Sequence, residues 1–131
     1  MWKFGASVVA TVAFAGASLA QQATVESYQL DGVEVQVIVH PFLTEEEVAT
    51  LRLVGQNRDA LGLFIAEGTG YSALAIAPDE GFIRNGVPIA SAMALSGLET
   101  AEAARQAATQ ACDEARQGGQ PCAIVLEVSA R

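Results

Sequence analysis

The sequence predicts an α+β domain with a mainly antiparallel sheet of about six strands, two packed helices and one disulfide. Three observations predict it. An Asp31-Gly32 pair separates two extended apolar runs. Thr44-Glu45-Glu46-Glu47 opens a helix. Glu99 to Val128 reads as an alanine-rich helix, a Gly-Gly-Gln-Pro break and an apolar strand, with Cys112 on the helix and Cys122 opening the strand. The expected order is β-β-α-β-β-β-α-β.

In chain order, Val25 to Leu30 and Val33 to Val39 form the first hairpin, because a two-residue Asp-Gly turn supplies the positive φ that type I′ geometry needs. Val33, Val35, Val37 and Val39 share one face of the second strand, which ends at His40-Pro41. Thr44 is the N-cap of the first helix, and Glu47 completes a capping box. Leu43 and Val48 are placed for a hydrophobic staple, and the three glutamates favour the positive helix end. Val48, Leu51 and Val54 point inward, and the helix stops near Gly55 to Asn57. Ala60 to Ala66 and Tyr71 to Ala77 read as a second hairpin around Glu67 to Gly70. Pro78-Asp79-Glu80-Gly81 is a turn, and Asn85-Gly86 marks another. Ile89 to Leu95 reads as a strand.

In the last helix, Ala101, Ala104, Ala108, Ala111 and Ala115 recur at spacings of three and four, which places them on one face. Alanine favours helix and lets it lie close to what it covers. Either Thr100 or Ser96 is its N-cap, the latter with Glu99 as a capping box. Gly118-Gly119 ends it and Pro121 blocks its continuation. Cys122 to Val128 is a buried strand. The chain has two cysteines, so a single pairing, Cys112 with Cys122, is open to it, with Cys112 at the edge of the inward face.

The chain has 131 residues and a formal net charge of −8. Met1 to Lys3 is a short positive start, Phe4 to Ala15 is apolar, and Ser18 and Ala20 are small. This is the pattern of a secretory signal peptide cleaved after Ala20. The remaining Gln21 to Arg131 is one domain, located in the periplasm or secreted. Losing Lys3 takes its charge from −8 to −9. Such an acidic domain repels phosphate backbones and anionic lipid, so nucleic acid and membranes are not expected partners.

The strand Tyr71-Ser-Ala-Leu-Ala-Ile-Ala-Pro78, the strand after it, the alanine helix with its cysteine and the cysteine-opened last strand together resemble small periplasmic bacterial domains of unknown function. With His40-Pro-Phe-Leu-Thr44 and Leu51-Arg-Leu-Val-Gly-Gln-Asn57, the whole domain is similar to short exported proteins of alphaproteobacteria. Some of those carry the label 5-aminolevulinate synthase. The resemblance implies fold and compartment. A pyridoxal-phosphate enzyme of that kind needs a Schiff-base lysine, and residues 21–131 contain none.

His40, the sole histidine, is the candidate general base or metal ligand near Glu45, Glu46 and Glu47. Its plainer reading is a strand-end residue. Gly70-Tyr-Ser72-Ala-Leu74 partly matches a nucleophile elbow but lacks the final glycine and a following helix. Gly68-Thr-Gly70 lacks the lysine and helix of a phosphate loop. Asp79-Glu80 could bind calcium, and a solvated turn is the simpler reading. The cysteines are not CxxC, and one histidine leaves zinc short of ligands. No cofactor is implied. The expected role is a non-enzymatic binding or accessory module for an unknown protein or small molecule. The alternatives are a small hydrolase or lyase using His40 with Glu47 or Asp59, and an inhibitor presenting Glu67 to Gly70 or Arg84 to Pro88.

Overall fold

The computed structural model describes residues 23–30, 32–65 and 70–130. The expected signal segment 1–20 with the Ala20–Gln21 cleavage site lies outside the described residues, as does most of the Glu67 to Gly70 loop. In chain order the elements are β1 (Thr24–Leu30), β2 (Val33–Val39), α1 (Glu45–Gln56), α2 (Arg58–Gly62), β3 (Gly70–Ile76), β4 (Ile83–Arg84), β5 (Val87–Pro88), β6 (Met93–Leu98), α3 (Ala101–Ala115) and β7 (Ala123–Ala130).

Five strands form one sheet in the order β1-β2-β7-β3-β6, and β4-β5 is a separate hairpin. Every pairing in the large sheet is antiparallel. β2 and β3 both border β7 and therefore run parallel to each other, as do β6 and β7 on either side of β3. Two crossovers result, β2-α1-α2-β3 and β6-α3-β7, each skipping one strand.

The helices of the two crossovers cover opposite faces. On one face Val35, Val37, Leu74, Ile76 and Leu126 bury against Leu51 and Val54 of α1 and against Phe82. On the other, Ala73, Ala75 and Ala77 meet Ala104, Ala108 and Cys112 of α3. Ser72 to Ile76 of β3 are all buried, because this strand is covered on both sides. Its alternation of alanine with Leu74 and Ile76 sets a thin layer under α3 and a thick one under α1. A Cβ at Gly55 would lie 3.0 Å from the Tyr28 ring, so glycine lets α1 press onto β1 and β2.

The sequence signals at the turns act as expected. Leu30 pairs with Val33 across the first hairpin. Thr44 accepts from the Glu47 amide, and Glu47 returns the bond to the Thr44 amide. Asn85 and Gly86 have φ of 55° and 77°, which closes β4-β5. Of the two possible N-caps of α3, Thr100 is the one used, accepting from the Ala103 amide at 3.0 Å.

Several expectations are corrected. Residues 60–65 are not a strand, so the described residues do not form the hairpin expected around Glu67 to Gly70. Asn57 accepts from the Ala60 amide at 2.9 Å and starts α2. Leu61 and Ile65 are buried one helical turn apart, while Leu63 between them is 81% exposed. The added helix α2 and the β4-β5 pair make seven strands and three helices among the described residues. Ile89 to Ala92 is a turn rather than the start of a strand, because the Ile89 amide bonds Phe82 O and the Ala92 amide bonds Ile89 O. β6 therefore begins at Met93. Cys112 is not at the edge of the inward face: it is fully buried in line with Ala104 and Ala108. Cys112 and Cys122 form a disulfide across a Cα–Cα distance of 6.1 Å.

Candidate functional site

His40 follows β2, and its Nε2 lies 2.8 Å from the carbonyl oxygen of Ile124 in β7. With Nε2 protonated the ring donates there. The ring stacks on Phe42 at 4.9 Å, with 12° between the planes. Together with Pro41, Pro78 and Pro121 it lines a shallow groove of about 370 Å³. Among the described residues, neither Glu47 nor Asp59 hydrogen-bonds the ring. The imidazole ties the end of β2 to β7.

Glu47 is only 6% exposed. One carboxylate oxygen accepts from the Thr44 amide at 3.0 Å, and the other accepts from the Phe82 amide at 2.7 Å. Glu45 and Glu46 remain exposed in the first turn of α1. Asp59 is exposed in the first turn of α2. Ser72 is buried in β3 opposite Val128, not at an exposed elbow.

Asp79 and Glu80 sit in the expected turn, closed by the Gly81 amide on Ala77 O at 2.8 Å. They are not simply solvated. Glu80 accepts from the buried Ser91 hydroxyl and from the Gln117 amide. Asp79 accepts from the Gln120 amide at 2.9 Å. From the other side of the same loop, Asp113 accepts from the Cys122 amide at 2.8 Å and from Arg116 Nε at 2.9 Å. Arg116 Nη1 in turn donates to Gly119 O at 2.9 Å.

Three carboxylates thus hold the amides of the Gln117 to Cys122 loop, and the disulfide anchors its end. Hydrogen bonds to the ionised form lower a carboxyl pKa. The Ser91 hydroxyl and the Gln117 amide lower Glu80. The Cys122 amide and Arg116 lower Asp113. Elsewhere, Arg52 and the Tyr28 hydroxyl lower Glu26. Sequence reading missed Asp113. Its signal is a carboxylate one residue after a cysteine on the last helical turn, with the partner cysteine just beyond a glycine break.

A second feature runs along α3. Arg105, Thr109, Asp113 and Ile124 line an open groove of about 590 Å³ between the helix and β7. Arg105 reaches over it to Glu127 at 3.1 Å. Beyond that pair, Glu34, Gln36, Tyr71 and Ser129 line a smaller recess of about 180 Å³ beside Ala101.

Among the described residues no set of three or more His, Cys, Asp or Glu side chains is placed to hold a metal ion. No helix among them is long and apolar enough to cross a membrane. Compared with known proteins, the chain matches no family model, no curated sequence and no solved structure.

Proposed function

We propose that this protein is a non-enzymatic binding or accessory module, exported and working in the periplasm after removal of residues 1–20. The observation that carries the reading is where the reactive side chains are spent. His40, Glu47, Asp79 and Glu80 each hold a backbone group or a buried hydroxyl of another segment. A catalytic acid or base has to face substrate instead. The Cys112–Cys122 disulfide supports an oxidising compartment, where such bonds persist. The resemblance to short exported alphaproteobacterial proteins points the same way.

The test is to express the full chain with its leader, fractionate the cells and weigh the periplasmic product. The expected mass begins at Gln21, carries one disulfide and lacks Trp2. A product that retains Met1 would overturn the export reading. Hydrolysis of ester, amide or phosphoester substrates that disappears in His40→Ala would overturn the non-enzymatic reading. It would assign the chain to the hydrolase or lyase class, with His40 and Glu47 or Asp59.

A further inference from the structure

On the α1 face of the sheet, α1 packs over β1 and β2. On the opposite face, α3 packs over β3 and β6, and no described element covers β1 and β2. Alternation along β2 buries Val35 and Val37 against α1 and turns Glu34, Gln36 and Ile38 to the uncovered side. Cross-strand pairing places Val25 of β1 beside Ile38. Val25 is 54% exposed.

The open strip is two strands wide, about 10 Å at the usual strand spacing, which is the width of one helix with its side chains. Its wall is α3, 15 residues long, or about 22 Å.

The strip is not uniform. Val25, Ile38 and Ile124 make one end apolar. Glu34 makes the other end acidic, beside the Glu127–Arg105 pair. The side of α3 above it adds Glu102, Asp113 and Glu114, while its two guanidinium groups, Arg105 and Arg116, are engaged with Glu127 and Asp113. The remaining negative charge adds to that of residues 21–131, which is −9 where the full chain with Lys3 is −8, and such a surface attracts cations and repels a second copy of itself.

We infer that this trench beside α3 is a docking site for one amphipathic, positively charged helix of a partner protein. The helix lies parallel or antiparallel to α3, with its apolar face on Val25, Ile38 and Ile124 and its basic residues toward Glu34 and the acids of α3. It completes the second helical layer that the described elements leave half built. This assignment rests on the binding-module reading and adds the class of partner and the surface used.

The test measures binding of labelled synthetic helical peptides to the exported, disulfide-bonded chain by fluorescence anisotropy. One peptide carries leucine and lysine at amphipathic spacing, a second replaces lysine by glutamate, and a third scrambles the first. The expected result is binding of the first alone, weakening as salt rises from about 50 to 500 mM. Ile38→Ser weakens it about tenfold, as for loss of one buried aliphatic side chain. Glu34→Gln weakens it at low salt. Leu53→Ser, at an exposed apolar position on α1, leaves it unchanged. Val25→Ser is the replacement variant if Ile38→Ser fails to fold.

Equal binding of the glutamate peptide, or binding indifferent to Ile38→Ser and Val25→Ser, would overturn the inference. So would a dimer of the free chain that Ile38→Ser dissociates. A periplasmic protein retained equally by wild type and Ile38→Ser would overturn the trench and leave the binding-module reading standing. No peptide bound and no protein retained would remove both.

Discussion

Glu47→Ala should be among the most damaging substitutions in the chain. The carboxylate is 6% exposed and takes one amide hydrogen from its own helix start and one from Phe82, 35 residues away. Losing its part in the capping box costs about 1 kcal/mol. Leaving the buried Phe82 amide without an acceptor costs about 1–3 kcal/mol more. The sum, about 2–4 kcal/mol, is a large share of the roughly 5–15 kcal/mol that stabilises a domain. It corresponds to a fall in Tm of roughly 10–25 °C at this size.

Glu47→Gln keeps one carbonyl acceptor and turns an NH2 toward the second donor, so it should fall between wild type and Glu47→Ala. Thr44→Ala removes only the cap bond and should cost about 1 kcal/mol. Urea unfolding followed by far-UV circular dichroism gives all three values. Wild-type stability in Glu47→Ala would refute the reasoning. So would a Thr44→Ala cost equal to that of Glu47→Ala, because it would mean that the bond to Phe82 contributes nothing.

Replacing both Cys112 and Cys122 by Ala should lower stability by about 2–3 kcal/mol for so short a loop, and an unchanged melting curve on reduction of the native chain would contradict it. Gly81→Ala should cost about 2 kcal/mol, because the φ of 85° penalises a Cβ that would also lie 2.7 Å from Glu47 Oε2. Its cost should shrink in a Glu47→Ala background, and an identical cost in both would mean the two residues are uncoupled. Glu26, Glu80 and Asp113 are held below the usual carboxylate range. The stability they add is present above their unfolded pKa values and is lost as pH falls through their folded ones. The urea midpoint should therefore drop between about pH 5 and pH 3. Asp113→Asn should flatten part of that slope, and a slope that stays the same would exclude Asp113 from the effect.

The legible parts of the fold were those fixed by local chemistry. Asp31-Gly32, Thr44 with Glu47, Asn85-Gly86 and the Gly118 to Pro121 break each announce a turn or cap through neighbours within four residues. The alanine spacing revealed α3 and its inward face. Ala60 to Ala66 misled because Leu63 and Phe64 fill the gap between Leu61 and Ile65, and an unbroken apolar run conceals a helical period. Ile89 to Ala92 misled for a different reason, since its turn is fixed by backbone bonds from Ile89 to Phe82 and from Ala92 to Ile89 that no residue type announces.

The candidate site was the least legible. His40, Glu47, Asp79 and Glu80 were found by residue type, but their partners are backbone groups on distant segments. A main-chain amide leaves no mark in a sequence. The trench beside α3 depends on which strands α3 leaves uncovered, and that follows from strand order rather than from any motif.

Strand order also bears on how the chain can be made. β7 lies between β2 and β3, yet it comes last in the chain among the seven described strands. Until it emerges, the β1-β2 hairpin and the β3-β6 pair are two separate halves, each with a long unpaired edge. The chain therefore has no complete core to fold around before β7 joins. Once β7 arrives, it zips both halves together through contacts distant in sequence, and such non-local closure is slow. A chain that leaves its keystone strand for last delays its own folding until that strand joins.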